Sequence, residues 1–288
     1  MKSIKKIAII GVGFMGGSLA LALKKSYPYI SIWGFARSKR SLYRIKKLNV
    51  FNRIEQNLKD LVKDADLIVL ALPIYAIIEM LKKISPFLKK DAIVCDLGST
   101  KELVEKSAHK ILPKGVKFVG CHPLCGGEKH GAEFSKADLY KGALCLVTSS
   151  PKRSASKTVD KIWKKLGMKT IYISPSFHDK VLSPFSHLPH FISFSLTRST
   201  PLKYAGYSGA SFKDLTRISN SPPSVWTDIF LSNKKNILKD IAQFMKMMQD
   251  FKELIRRNNR QGILRFITQV NKAQESLEKR LAIKPRTK

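Results

Sequence analysis

Four apolar residues run straight into spaced glycines in "IAIIGVGFMGGSLALAL", residues 7–23. Gly11, Gly13 and Gly16 hold G-x-G-x-x-G spacing, behind a strand-like run and at the head of a helical one. No other stretch restricts the fold as much. A strand that turns on such glycines into a helix opens a βαβ unit, and the spacing suits a dinucleotide. Gly11 permits the tight turn, Gly13 lets the backbone approach a pyrophosphate, and Gly16 lets helix and strand pack closely. The helix start offers N–H groups and the positive end of its dipole to phosphates. Phe14 and Met15, within the fingerprint, and Pro73, after a later strand, are assigned to the same cofactor site. The competing reading is a glycine-rich turn that binds nothing.

The rest of the first 173 residues supports the βαβ reading. Short apolar runs ("KKIAIIG", "YISIWGF", "ADLIVLAL", "AIVCDLG", "VKFVGC", "ALCLVT", "TIYIS") alternate with helical ones. Runs apolar on both faces fit strands covered on both sides, and repeated alternation predicts a parallel, doubly wound, Rossmann-like sheet. From about residue 174 the alternation stops. Ile229, Phe230, Ile237, Ile241, Phe244, Met248, Phe251 and Ile255 recur at helical spacing, as one broad apolar face would require. The expected fold class is therefore α/β: a dinucleotide-binding domain over 1–173, then an all-helical domain over 174–288. "YAGYSGASFKDLTRISNSPPS" is expected as a long, functional polar loop between helices.

The second strand bears on which dinucleotide binds. An NAD site usually places Asp or Glu about 20 residues beyond the fingerprint, on the ribose 2′-OH. Here "WGFARSKRS" offers Ala36, then Arg37, Ser38, Lys39 and Arg40, with no carboxylate. Arg37 can fork onto a 2′-phosphate and Ser38 can donate a hydrogen bond to it. NADP is the preferred cofactor on this reading, with NAD as the alternative. The bland reading keeps Arg37 as a solvated loop charge.

Charge widens the field of functions. Lys and Arg number 53 against 21 Asp and Glu, a formal +32. Such a balance attracts polyanions and anionic small molecules, so a basic nucleic-acid-binding protein is a remote alternative. The basic residues are spread along the chain, however, and no recognition motif accompanies them. Four cysteines in 288 residues make no disulfide framework, and a reducing cytoplasm fits them. Glycines break the first apolar run too early for a signal peptide, and no run is long enough to cross a membrane.

The chemistry sits in four further stretches: "DLGSTK" (96–101), "GCHPLCGGEKHG" (120–131), "SHLPH" (186–190) and "FKDLTR" (212–217). In this order, behind the glycine fingerprint, they resemble the prephenate/arogenate dehydrogenase family of tyrosine biosynthesis. The resemblance runs from the fingerprint to the Trp226 region. It implies oxidative decarboxylation of prephenate to 4-hydroxyphenylpyruvate with reduction of NAD(P), or, as the alternative, of arogenate to tyrosine. It implies that His122 accepts a hydrogen bond or proton from the ring hydroxyl, which suits an imidazole mostly neutral near pH 7. It assigns Ser99 to the neighbourhood of His122 and the hydroxyl, although Ser99 with Glu102 also reads as a capping box. It places His190 and Trp226 at the substrate, and Arg217 on a substrate carboxylate with Asp214 to orient it. Glu128 joins the substrate residues in a gating role. His187 reads as structural and His130 as a bystander. The resemblance also implies a homodimer through the helical domain.

One departure is Cys125, where the family commonly has Ala; the thiol is expected to be tolerated and sensitive to oxidation. Cys121, His122, Cys125 and the His187/His190 pair also raise zinc. Their spacing matches no standard paired-cysteine template, so no metal is expected.

Overall fold

The computed structural model describes residues 4–126, 131–148 and 153–282. Eight strands form one sheet: β1 (Lys6–Ile10), β2 (Ser31–Phe35), β3 (Arg53–Glu55), β4 (Leu67–Leu70), β5 (Ile93–Asp96), β6 (Lys117–Leu124), β7 (Leu144–Val147) and β8 (Lys169–Tyr172). Their order is β3-β2-β1-β4-β5-β6-β7-β8. The chain leaves β1 in one direction and returns to build the other half from β4. That reversal opens a crevice at the carboxyl ends of β1 and β4, where open α/β sheets bind ligands.

Helices α1 (Phe14–Ser26), α2 (Lys39–Lys46), α3 (Leu58–Val62), α4 (Ile74–Ile84), α5 (Glu102–Ile111) and α6 (Ser154–Lys165) connect the strands. Two apolar layers result. Ile7, Ile9, Leu19, Leu23, Val69, Cys95, Cys121, Cys145 and Trp163 pack one face of the sheet. Ala8, Ile10, Ile68, Leu70, Ile77, Leu81, Val94 and Val104 pack the other. Strand residues alternate between the two sets, as a pleat requires.

The sheet is not wholly parallel, contrary to expectation. β6 pairs with β7 antiparallel, Cys121 opposite Val147 and His122 opposite Leu146. β8 is parallel to β7, so these last two strands run against the other six. Parallel pairing needs a crossover, usually helical. Between β6 and β7 the described chain offers only a 3₁₀ turn, Ala132–Phe134, whereas α6 carries the crossover from β7 to β8. The three-residue β3 escaped the sequence reading because it is too short to show a period.

Beyond β8 come α7 (Pro175–Leu182), a π-helical turn (Ser183–His187), α8 (Leu188–Ser199), α9 (Ala210–Thr216), α10 (Pro223–Ser232), α11 (Lys234–Arg256) and α12 (Arg260–Ala282). The Gly/Ser/Pro-rich stretch expected as a loop is mostly short helices: a 3₁₀ turn over Leu202–Tyr207, α9, and a 3₁₀ turn over Arg217–Asn220. The single apolar face expected from Ile229 onward is also divided, because the helix breaks at Asn233 between α10 and α11.

By compactness the chain forms two units, one through Lys234 and one from Lys235. Residue 173 follows the last strand, yet α7 to α10 belong to the same compact unit as the sheet. In the second unit α11 and α12 form a helical pair. Phe251 meets Phe266 at 4.9 Å between ring centroids, and Asn258 turns the chain with φ at 49°. Met245, Met248, Ile255, Leu264, Ile267 and Val270 remain exposed on it.

Candidate active site

The strand ends converge on one cavity of about 700 Å³. Gly13, Phe14 and Met15 enter it after β1, Pro73 after β4, Gly98 and Ser99 after β5, and His122 at the end of β6. From the helices come His190, Arg217 and Trp226. Nine of the cofactor, catalytic and substrate residues expected from sequence therefore line the same space. The glycines explain how the backbone gets there. Gly11 has φ at 95°, and a Cβ on it would drive into the carbonyl oxygen of Ala71. A Cβ on Gly16 would meet the carbonyl oxygen of Gly11, so helix and strand could not close. A Cβ on Gly13 would meet nothing within 4 Å. The space above the α1 N-terminus is thus open to a group approaching the backbone N–H groups there, the kind of place where helix starts take anions.

His122 and Cys121 leave β6 on opposite faces. Cys121 is fully buried and takes a hydrogen bond from the indole N–H of Trp163 at 3.3 Å. His122, half-buried, turns toward α7, where its Nδ1 lies 2.9 Å from Nε2 of His178. His178 is fully buried, and its Nδ1 lies 2.8 Å from Oδ1 of Asp179. The Asp179 carboxylate also accepts the backbone N–H groups of Lys101 at 2.7 Å and Glu102 at 3.0 Å. Burial holds the His122 imidazole well below its usual value, helped by the neighbouring His178, Lys101 and His187. Burial lowers His178 as well, against the pull of Asp179. A neutral His122 can accept a proton, whereas an imidazolium cannot.

Ser99 sits on a short loop braced at both ends. The buried Asp96 pairs with the buried Lys101 and accepts the N–H of Gly98 at 2.8 Å. Burial raises Asp96 to about 6, opposed by the charge of Lys101. Thr100 Oγ1 meets Ser232 Oγ at 2.8 Å, tying the loop to α10. The expected Ser99–Glu102 capping box does not form. Lys101 takes the N-cap position of α5 with no side-chain cap bond, and Asp179 satisfies the first N–H groups from across the fold.

On the helical side, His190 stacks on Trp226 with centroids 3.5 Å apart and planes 21° apart. Its Nδ1 donates to the carbonyl oxygen of Ser186 at 3.0 Å. His187 is buried, bonded through Nδ1 to the side-chain amide of Asn233 at 3.0 Å, and meets Trp226 edge-on. Asp228 on α10 accepts the N–H of Tyr75 at 3.2 Å, which ties α10 to the start of α4. Arg217 follows α9 and is exposed, as is Asp214 three residues earlier. Glu128 and His130 lie outside the described residues. Cys125 lines the cavity, and burial pushes its thiol up to about 12. It stays protonated at neutral pH, which works against the expected oxidation sensitivity.

A second cavity, of about 370 Å³, adjoins Gly13 and is lined by Ser38, Arg40, Ser41 and Arg44. Ser38 caps α2, accepting the N–H of Ser41 at 3.2 Å. Arg37 is exposed and absent from this lining, where Arg40 and Arg44, one helical turn apart, stand instead. Among the described residues no group of three or more His, Cys, Asp or Glu side chains could hold a metal ion.

Residues 19–172 match the domain family described as prephenate dehydrogenase, nucleotide-binding domain, and residues 174–269 match its dimerization domain. The chain belongs to the prephenate dehydrogenase family. It is 30% identical to a cyclohexadienyl dehydrogenase of Zymomonas mobilis over 99% of this chain and 100% of that one. It is 33% identical to a prephenate dehydrogenase of Lactococcus lactis, covering 96% of this chain and 78% of the relative. Among solved structures, a prephenate dehydrogenase of Aquifex aeolicus in complex with hydroxyphenyl propionate and NAD+ superposes with a TM-score of 0.87 and 35% identity. That match covers 96% of this chain and 99% of the other. As a family member the chain is an NAD(P)-dependent oxidoreductase.

Sequence reasoning missed His178, Asp179 and Arg44, and gave Arg40 no role. The two arginines lay three and seven residues beyond Arg37, and α2 winding would have grouped them. "FHDK" carried no spacing signal, because its link to His122 spans 56 residues and exists only once α7 packs beside β6.

Proposed function

We propose that this chain oxidises and decarboxylates prephenate to 4-hydroxyphenylpyruvate, with NADP preferred over NAD. The observation that carries this is the convergence of Ser99, His122, His190, Arg217 and Trp226 on one cavity that opens onto Gly13. The bound dinucleotide supplies a hydride acceptor. His122 takes the proton of the ring hydroxyl as hydride leaves the carbon that bears it. The bond to the ring carboxylate then breaks, carbon dioxide departs, and its electron pair makes the ring aromatic. The proton lent to His122 returns to the phenolic oxygen. Ser99 hydrogen-bonds beside the hydroxyl. His190, stacked on Trp226, makes a wall for the ring. Arg217 clamps a carboxylate, and the overall +32 charge draws in a dianion.

The deciding experiment crosses prephenate or arogenate with NAD or NADP and follows nicotinamide absorbance. Prephenate with NADP should give the highest kcat/KM. Faster turnover of arogenate would transfer the assignment to the alternative substrate. The NADP preference draws support from Arg40 and Arg44, whose guanidinium groups can fork onto a 2′-phosphate. Replacing both with Ala should raise KM for NADP roughly tenfold or more while sparing NAD, since charged hydrogen bonds contribute about 1.5–3 kcal/mol each. Equal losses for both cofactors would remove the arginines from this role.

Arg217→Ala should raise KM for prephenate by about tenfold or more, with Lys a poor substitute for a bidentate clamp. An unchanged KM would count against the clamp. The exposed apolar residues of α11 and α12, together with the dimerization-domain match, support a homodimer through the helical region. The four free cysteines, three of them buried, suit a reducing cytoplasm.

A further inference from the structure

We infer that Asp179 and His178 act as a two-residue relay that locks His122 in the Nδ1–H tautomer, so that its Nε2 lone pair faces the substrate hydroxyl. This rests on the proposed role of His122 and assigns His178 as a positioning residue for that reaction. The argument is one of donors and acceptors. A carboxylate only accepts hydrogen bonds. The Asp179 carboxylate lies 2.8 Å from Nδ1 of His178, so that nitrogen carries the proton. His178 is fully buried and shares its surroundings with the charge of Lys101, which favours the neutral ring. A neutral ring protonated at Nδ1 has a bare Nε2. That nitrogen lies 2.9 Å from Nδ1 of His122, so His122 must be the donor there. A neutral His122 protonated at Nδ1 leaves Nε2 as an acceptor, which is what a hydroxyl proton requires.

The relay is also held in place. Asp179 accepts two N–H groups at the start of α5, and its carbonyl oxygen takes a hydrogen bond from the Asn233 side chain at 2.7 Å. It therefore cannot swing away from His178 without breaking the α5 terminus. When His122 receives the substrate proton, its Nδ1–H still points at His178 Nε2. The positive charge is then stabilised through His178 by the carboxylate beyond. No proton need pass down the chain, because orientation and electrostatics suffice.

The test combines a spectrum with a rescue, on the full-length chain. With histidine labelled by nitrogen-15, and the His122 signals assigned by their loss in His122→Asn, wild-type His122 should show a protonated Nδ1 and a bare Nε2 at pH 8. His178→Leu should scramble that tautomer and lower kcat by roughly 10²-fold or more, as a wrong tautomer does in the serine-protease triad, with little change in KM. His178→Gln sets an amide oxygen where Nε2 stood and should restore most of kcat. A wild-type His122 protonated at Nε2 would overturn the relay. So would wild-type turnover by His178→Leu, or a folded His178→Gln as impaired as the Leu variant. If the Leu variant fails to fold, the wild-type spectrum and the Gln variant still decide. A wild-type chain with the expected tautomer but no turnover of prephenate would sink the proposed reaction while supporting the relay.

Discussion

His122→Asn should lower turnover of prephenate by about two to four orders of magnitude, the range for losing a general acid–base group. Asparagine can fill part of the imidazole space and can still donate toward His178. It cannot accept a proton at neutral pH. Cofactor binding should stay within about twofold of wild type, because the lost interaction strengthens only as the reaction proceeds. Fluorescence titration with the dinucleotide separates the two effects. Near-normal turnover would remove His122 from its role. The wild-type pH profile checks the same assignment independently. Burial, His178, Lys101 and His187 all hold His122 below its usual value. The active form is the neutral ring, so activity is full above the folded-state value and is lost as pH falls through it. The acidic limb of kcat/KM should therefore lie clearly below about 6.5, the unperturbed value for histidine. A limb at or above that value would mean that another group controls the reaction.

What was legible in the sequence was what local pattern encodes. Gly11, Gly13 and Gly16 announced their roles through spacing, because backbone approach and a positive φ leave few residues to choose from. The strands β1, β4 and β5 were readable because they are apolar on both faces. The direction of β7 was not, since an apolar run carries no arrow and the missing crossover helix is a tertiary fact. The long apolar pattern from Ile229 hid the break at Asn233, whose side chain serves His187 and Asp179 rather than the helix. Ser99 looked like a cap because Glu102 stood three residues on. The fold satisfies those N–H groups with Asp179, 77 residues away from Glu102. Of the residues that the ordered motifs carried, Ser99, His122, His190 and Arg217 line one cavity; the relay behind them depends on contacts between α7, α5 and β6 and left no trace in spacing.

Asp179→Ala should be the most destabilising single change at this site. The side chain is 1% exposed and accepts three hydrogen bonds, from the N–H groups of Lys101 and Glu102 and from Nδ1 of His178. Alanine leaves all three donors without that partner, those of Lys101 and His178 buried, and removes a negative charge from the α5 N-terminus. A buried group left unsatisfied costs about 1–3 kcal/mol. With some repair by water, the sum is on the order of 3–5 kcal/mol, a large share of the roughly 5–15 kcal/mol that holds a domain folded. Urea unfolding of the full chain should show this as a lower midpoint with an unchanged slope. Asp179→Asn is nearly isosteric and keeps one accepting oxygen, so it should lose less than half as much stability. Its activity should nevertheless fall sharply, because an amide nitrogen offered to His178 invites the opposite tautomer, as the equivalent change does in the serine-protease triad. The pair of variants separates the two duties of the residue: Ala reports chiefly on the α5 terminus, and Asn on the orientation of His122. A loss below about 1 kcal/mol in the Ala variant would mean that α5 finds another cap, since an ordinary surface substitution costs within about 0.5 kcal/mol. The carboxylate would then serve the histidines alone.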